Sequence, residues 1–360
     1  MVKLEELLET LVSRGGSDLH LSAGSPPKIR IDGSLVDLAP EAFGHEDTKQ
    51  IVYSVLTNDQ IATFEEKLEL DLSFGVSGLG RFRTNVFQQR GTVAAVFRLI
   101  PFDVKGFEEL GLPSEVCTKL CKLPKGLILV TGATGSGKST TLAAMIDYIN
   151  RTRESHIVTI EDPIEFLHHN KRCLFNQREV GSDTLEFKHA LRSVLRQDPD
   201  VVLIGEMRDL ETIEAALTLA ETGHLTFATL HTSDAVQTIN RIVDVFPAYQ
   251  QQQIRTQLSF TLQGVFSQQL IPRSGGSGRI LGSEVMLANA AIRSLIREDK
   301  AHQIYSQIQT GGKDGMKTMN ASLYELYGRR AISMDEALNR SADKDDLMRL
   351  MNGGLVGSRR

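Results

Sequence analysis

Gly132, Ala133, Thr134, Gly135, Ser136, Gly137, Lys138, Ser139 and Thr140 form a complete G-x-x-x-x-G-K-[ST] phosphate loop. It constrains the fold more than any other part of the chain, because such a loop works only between a buried strand and the start of a helix. Both flanks are present. Gly126 to Thr131 is an apolar run, and a helical pattern extends from Thr141 to about Asn150. The glycines let backbone N–H groups wrap phosphate oxygens, and the helix N-terminus adds partial positive charge. Lys138 is placed to reach the β- and γ-phosphates, and Ser139 to ligate magnesium. The expected ligands are ATP or another nucleoside triphosphate, with Mg2+.

The 360 residues leave room for two domains. Acidic residues outnumber basic ones 45 to 40, so there is no global charge footprint for nucleic acid. No apolar run approaches the roughly 18–20 residues that span a bilayer. The N-terminus, with Glu5 and Glu6 in its first turn, does not read as a signal peptide. A cytoplasmic location is expected. Cys117, Cys121 and Cys173 are too few and too scattered for a disulfide framework, and packing is the favoured role over metal binding.

Leu4, Leu7, Leu8 and Leu11 recur at helical spacing, and strand patterns follow at Leu19 to Leu21, Lys28 to Ile31 and Leu35 to Val36, with a turn at Asp32 and Gly33. Further strands are expected at Leu70 to Val76, Arg81 to Gln89 and Thr92 to Leu99. This gives a small mixed domain over residues 1–100. Prolines and glycines cluster in 101–113, which reads as a linker. From Gly126, buried strands at 126–131, 157–161, 201–205 and 225–230 alternate with helices at 184–195 and 210–221. That alternation predicts an α/β domain over 114–351 built on a parallel sheet covered on both faces, with ligands at the carboxyl ends of its strands. Another strand is expected at 280–286, and residues 352–360 read as a flexible tail.

Several side chains are candidates for the chemistry. Val201 to Glu206 is an apolar strand ending in a carboxylate, with Gly205 where an aspartate is usual, so Glu206 is assigned to magnesium and water organisation. Glu161, Asp162 and Glu165 cluster after another strand, where acids raise one another's pKa. Glu165 is the expected general base, with Glu161 in reserve; helix-capping acids at a turn are the alternative. Two histidines bracket the strand 225–230. His231, at its carboxyl end, is placed to sense the γ-phosphate, and His224, at its start, to meet a neighbouring domain or subunit. Arg81 and Arg83 share one strand face opposite Phe82 and Val86, which suits either arginine fingers on a triphosphate or a solvated basic edge strand.

Taken together, Gly132 to Thr140, the acidic box Ile160 to Glu165, Gly205 to Asp209 and the paired-histidine box Thr222 to Asp234 resemble the secretion ATPase superfamily of type II secretion and type IV pili. Ala291, Ile292, Arg293, Ser294, Leu295, Ile296, Arg297 and Glu298 resemble the signature segment of its pilus-retraction branch, with Ser294 where an asparagine is usual. The resemblance covers nearly the whole chain, including Ser17 to Ser22 and the Arg81/Arg83 strand. It implies a RecA-like P-loop NTPase domain, a smaller PAS-like α+β N-terminal domain, and a homohexameric ring with nucleotide between domains. It also implies ATP hydrolysis that drives pilin filament disassembly through an inner-membrane platform protein, at the inner face of the cytoplasmic membrane and without stable nucleic-acid binding. The extra N-terminal domain and four-cysteine element of the extension motors are not found in this sequence. A retraction paralogue of similar layout and, less favoured, a nucleic-acid translocase remain the alternatives. The signature segment is expected to bury Ala291, Ile292, Leu295 and Ile296 and to leave Arg293, Arg297 and Glu298 for polar contacts.

Overall fold

The computed structural model describes residues 2–31, 33–100, 103–276 and 278–357, with side chains as far as Asn352. The chain divides into two compact units, Met1–Asp103 with Glu165–Leu167, and Val104–Ile164 with His168–Arg360.

In the first unit a helix, Leu4–Ser13, buries the four leucines of its stripe. It leads into β1 (Asp18–Ser22), β2 (Lys28–Ile31) and β3 (Ser34–Asp37). Helices His45–Tyr53 and Asn58–Lys67 precede β4 (Glu69–Val76), β5 (Gly80–Gln89) and β6 (Thr92–Ile100). The strands form one antiparallel sheet in the order β3-β2-β1-β6-β5-β4. Alternation along β5 sends Phe82, Thr84 and Val86 into the interior and turns Arg81 and Arg83 to the other face. The turn expected at Asp32 lies outside the described residues, as do Pro101 and Phe102 of the segment read as a linker. From Val104 the chain groups with the second unit, and Leu112 is buried in that unit's core.

The second unit runs through helix Ser114–Cys121, β7 (Gly126–Thr131), helix Lys138–Thr152, β8 (His156–Glu161), β9 (Leu174–Glu179) and helix Phe187–Val194. It continues with β10 (Val201–Ile204), helix Leu210–Glu221, β11 (Leu225–Leu230) and helices Ala235–Asp244 and Ala248–Thr261. Then come β12 (Leu262–Pro272), β13 (Arg279–Leu287) and helices Ala290–Arg297, Ile304–Thr310, Met319–Gly328, Met334–Arg340 and Lys344–Gly357. The sheet order is β13-β12-β7-β11-β10-β8-β9. Every position of β7 and β11 is buried, as expected of central parallel strands with helices on both faces. Cys117 and Cys121 pack in this core, where burial pushes the Cys117 thiol up to about 12 and Cys121 upward as well.

The sheet is mixed rather than parallel. β13 runs antiparallel to β12, because the short Gly/Ser-rich link after Pro272 permits a hairpin and leaves no room for a crossover. The last helices pack Leu323, Leu326, Ile332 and Leu347 with Ile271 in a separate small core. The backbone of the expected tail is helical to Gly357, and Ser358 to Arg360 lie outside the described residues. No helix among the described residues is long and apolar enough to cross a membrane.

Candidate active site

Four parallel strands end side by side and carry the chemistry. In sheet order, β7 delivers the phosphate loop, β11 His231, β10 Glu206 and β8 Glu161 and Asp162. The loop takes left-handed backbone at Gly135 and Gly137 (φ 76° and 91°), and Gly137 caps the helix that starts at Lys138. Lys138 Nζ donates to the carbonyls of Gly132 at 2.9 Å and Ala133 at 3.1 Å, so the ammonium lies within the loop's own curve. Ser136 Oγ is buried with no hydrogen-bond partner among the described residues. A buried orphan hydroxyl in a ring of amides fits a phosphate oxygen. Ala133, Thr134 and Gly135 are exposed, and Ser139 and Thr140 half-buried.

β12 buttresses this loop. Thr131 Oγ1 donates to Ser267 Oγ at 2.9 Å, and Gln268 Nε2 donates to Thr141 Oγ1 at 2.8 Å. A Cβ added at Gly132 would meet Gln268 O at 2.4 Å, where φ is +139°. Gly132→Ala is therefore expected to destabilise the second unit by roughly 2–5 kcal/mol, combining backbone strain with overpacking. Gly135→Ala, with nothing within 4 Å of its added Cβ, is expected to cost about 1 kcal/mol. Urea unfolding of the two variants checks the order. Equal losses would mean that β12 does not press on the loop.

Glu206 holds two partners at once. Oε1 lies 3.2 Å from His231 Nε2, and Oε2 accepts from Arg208 Nε at 3.0 Å. Arg208 also lies 3.7 Å from Asp162, and Glu206 raises the pKa of its guanidinium, first through the hydrogen bond and then through charge. Gly205 makes this corner possible: an added Cβ would stand 3.2 Å from Ile160 O and 3.3 Å from Glu161 Cα, so an aspartate there would crowd β8. Arg208 lies within the motif Gly205 to Asp209, but its spacing assigns it no role, since its pairing with Glu206 and Asp162 joins the ends of different strands.

The structure separates the other acids. Glu161 is buried, taking hydrogen bonds from Thr159 Oγ1 at 2.6 Å and Gln177 Nε2 at 3.2 Å. Glu165 is exposed and groups with the first unit. No helix begins at the acidic turn, so its acids are not helix caps. His224 sits at the end of β11 remote from His231, its Nδ1 3.0 Å from Leu219 O and 3.2 Å from Thr222 Oγ1. Arg81 donates to Ser73 Oγ at 2.6 Å, and β5 lies between β6 and β4, so the edge-strand alternative does not hold. Among the described residues, no group of three or more His, Cys, Asp or Glu side chains is arranged to hold a metal ion.

A family model for type II/IV secretion system proteins matches residues 3–333. The chain belongs to this family. It is 54% identical to the type IV pilus retraction ATPase PilT of Pseudomonas aeruginosa over 93% of this chain and 96% of that protein. It is 49% identical to a twitching motility protein of Neisseria gonorrhoeae, covering 89% of this chain and 86% of the relative. The crystal structure of the pilus retraction motor PilT with bound ADP superposes with a TM-score of 0.91 at 52% identity, covering 97% of this chain and all (100%) of that one.

The segment that resembles the retraction signature of this secretion family forms the helix Ala290–Arg297, capped by Asn289 Oδ1 on Ile292 N at 3.0 Å. Ile292 and Ile296 are buried and Leu295 partly so, but Ala291 is exposed, which narrows the expected stripe. The arginines are already occupied within the chain. Arg293 donates to the carbonyls of Ser259 (2.5 Å) and Phe260 (3.0 Å) and to Gln263 Oε1 (3.0 Å). Arg297 donates to Ser259 Oγ at 3.3 Å and stands over the Phe260 ring. Arg293 therefore caps the carboxyl end of helix Ala248–Thr261, with the Arg297 charge beside it, where free carbonyls and the helix dipole favour cations. Ser294 Oγ donates to Glu298 at 2.7 Å.

Proposed function

We infer that this chain is an ATP-hydrolysing motor that powers retraction of type IV pili. One observation carries the reading: the phosphate loop, the Glu206–His231 pair and the helix Ala290–Arg297 occur in one fold that matches a pilus retraction motor over nearly its whole length. The amides of Gly132 to Thr140 hold the phosphates of ATP. Lys138 leaves its carbonyl partners for the γ-phosphate as negative charge builds there. Mg2+, when bound, neutralises charge on the β- and γ-oxygens; Ser139 and Glu206 are the residues that would hold it.

Glu165, exposed at the turn after β8, serves as general base for the attacking water, with the buried Glu161 in reserve. His231, paired with Glu206, reports the state of the γ-phosphate to β11. Arg81 and Arg83 contribute positive charge to a nucleotide held by the same or an adjacent chain. The antiparallel order of the smaller sheet, with β1 and β6 central, supports a PAS-like fold for that unit. A homohexameric ring working on an inner-membrane platform protein from the cytoplasmic side completes the proposal.

Complementation of a bacterial strain lacking its own copy tests the motor reading and the signature helix together. The parent chain is expected to restore twitching. Arg293→Gln is expected to lose about 1–3 kcal/mol of local stability with its charged hydrogen bonds, to keep ATP hydrolysis within about threefold of the parent, and to leave cells piliated but non-motile. If the parent chain fails to restore motility, the motor assignment is wrong. Hydrolysis lost in step with motility would place the helix in the catalytic machinery, and normal motility would reduce it to packing.

A further inference from the structure

Glu284 lies on β13, at the far side of the sheet from the acids discussed above, and is only 3% exposed. A carboxylate so deeply buried needs strong partners. One Oε accepts the backbone N–H of Ala235 at 2.9 Å, and the Met319 amide also stabilises its charge. Ala235 and Met319 are each the first residue of a helix, Ala235–Asp244 and Met319–Gly328. The side chain therefore anchors the N-terminus of helix Ala235–Asp244 and lies close enough to that of helix Met319–Gly328 to feel its amide, where unpaired N–H groups and helix dipoles favour an anion. Burial pushes the carboxyl up to about 7, the charge of Asp234 pushes the same way, and the two amides pull back.

The placement matters because helix Ala235–Asp244 begins directly after the loop that carries His231. That loop is also held by Glu206 against His231 Nε2 at 3.2 Å, by Thr232 Oγ1 against Thr238 Oγ1 at 2.7 Å and by Asp234 Oδ1 on Gln237 N at 2.8 Å, the last two within the same segment. Glu284 supplies a second hold from outside the segment, at the helix start rather than at the histidine. It also belongs to the row of strand partners Glu284, Ser267, Thr131 and Leu230, and His231 follows Leu230. On its other side β13 is tied to the start of helix Met319–Gly328, with Val285 and Lys317 exchanging both backbone hydrogen bonds at 2.7 and 3.0 Å.

We propose that Glu284 is a positioning residue for ATP hydrolysis, fixing the His231 loop through the Ala235 amide and tying it to the C-terminal helices. The proposal rests on the reading of His231 given above. It acts on the rate of turnover and not on phosphate binding, because the amides of the phosphate loop belong to another strand. Glu284→Gln keeps the size of the side chain but replaces one acceptor with a donor, so one of the two helix starts loses its hold.

The test is ATPase kinetics of Glu284→Gln, His231→Ala and the double variant of the full chain. Glu284→Gln is expected to lower kcat about tenfold with KM for ATP within about twofold, and to cause no further loss in the His231→Ala background. Ala235→Pro provides a second route, since proline is well accepted at the first position of a helix, has no N–H for Glu284 to accept and sets its ring where that hydrogen bond lay. It is expected to reproduce the fall in kcat. An equal fold-loss from Glu284→Gln in both backgrounds, or parental kcat in Ala235→Pro, would overturn the proposal and leave Glu284 a structural anchor. Parental turnover by His231→Ala would instead overturn the role given to His231.

Discussion

Lys138→Ala is expected to reduce ATP hydrolysis about a thousandfold or more while the protein remains folded. The ammonium is the one flexible cation within the phosphate loop, and it rests on two loop carbonyls 2.9 and 3.1 Å away. In the proposed mechanism these bonds are exchanged for bonds to phosphate oxygens when ATP is bound, so that the lysine follows charge onto the γ-phosphate as the transition state forms. Removing one preorganised donor of this kind costs about 10²–10³ in rate, and a full positive charge costs more. Folding is affected less, because the Ala133 carbonyl lies at the exposed tip of the loop, where water replaces the ammonium, and the buried Gly132 carbonyl loses one partner. Steady-state hydrolysis and thermal melting, measured on the same preparation, separate the two effects. Near-parental turnover would remove the site from Gly132 to Thr140.

The second large effect concerns the acids. Glu206→Gln and Glu165→Gln are each expected to bind ATP within a few-fold of the parent and to hydrolyse it about 10²–10³ times more slowly. Both changes keep shape and remove charge. At Glu206 the loss also weakens the hold on His231 and Arg208, which meet opposite oxygens of the same carboxylate. Glu161→Gln is the control: its carboxylate is buried under the Thr159 hydroxyl and the Gln177 amide, so a modest loss of stability with turnover largely retained is expected. Binding of a fluorescent ATP analogue alongside single-turnover hydrolysis measures both quantities. If Glu161→Gln stopped hydrolysis while Glu165→Gln did not, the base would be Glu161.

The nucleotide-binding half was legible because its signals are local. A buried strand, a glycine-rich loop and a helix start follow one another in sequence, and β7, β8, β10 and β11 each lead into a candidate site residue. What escaped the sequence depends on partners brought from afar. β12 was not foreseen as a strand because Ser267, Gln268 and Gln269 interrupt its apolar run. They are tolerated there since Ser267 and Gln268 are the buttress of the phosphate loop, with Gln268 meeting Thr141 from 127 positions away. Glu284 likewise reads as an ordinary polar position on a strand until Ala235, 49 positions distant, is seen beneath it. The exposure of Ala291 and the capping role of Arg293 follow from where helix Ala248–Thr261 ends, which no periodicity within residues 291–298 encodes.

Retraction by ATP hydrolysis is most directly tested by imaging fluorescently labelled pili on living cells whose sole copy of this chain carries Lys138→Ala, beside cells carrying the parent. The parent cells are expected to extend and withdraw their pili. The variant cells are expected to extend pili in normal or increased number and to withdraw almost none. Withdrawal at the parental rate would contradict a motor that runs on this phosphate loop, and cells without pili would contradict retraction in favour of extension.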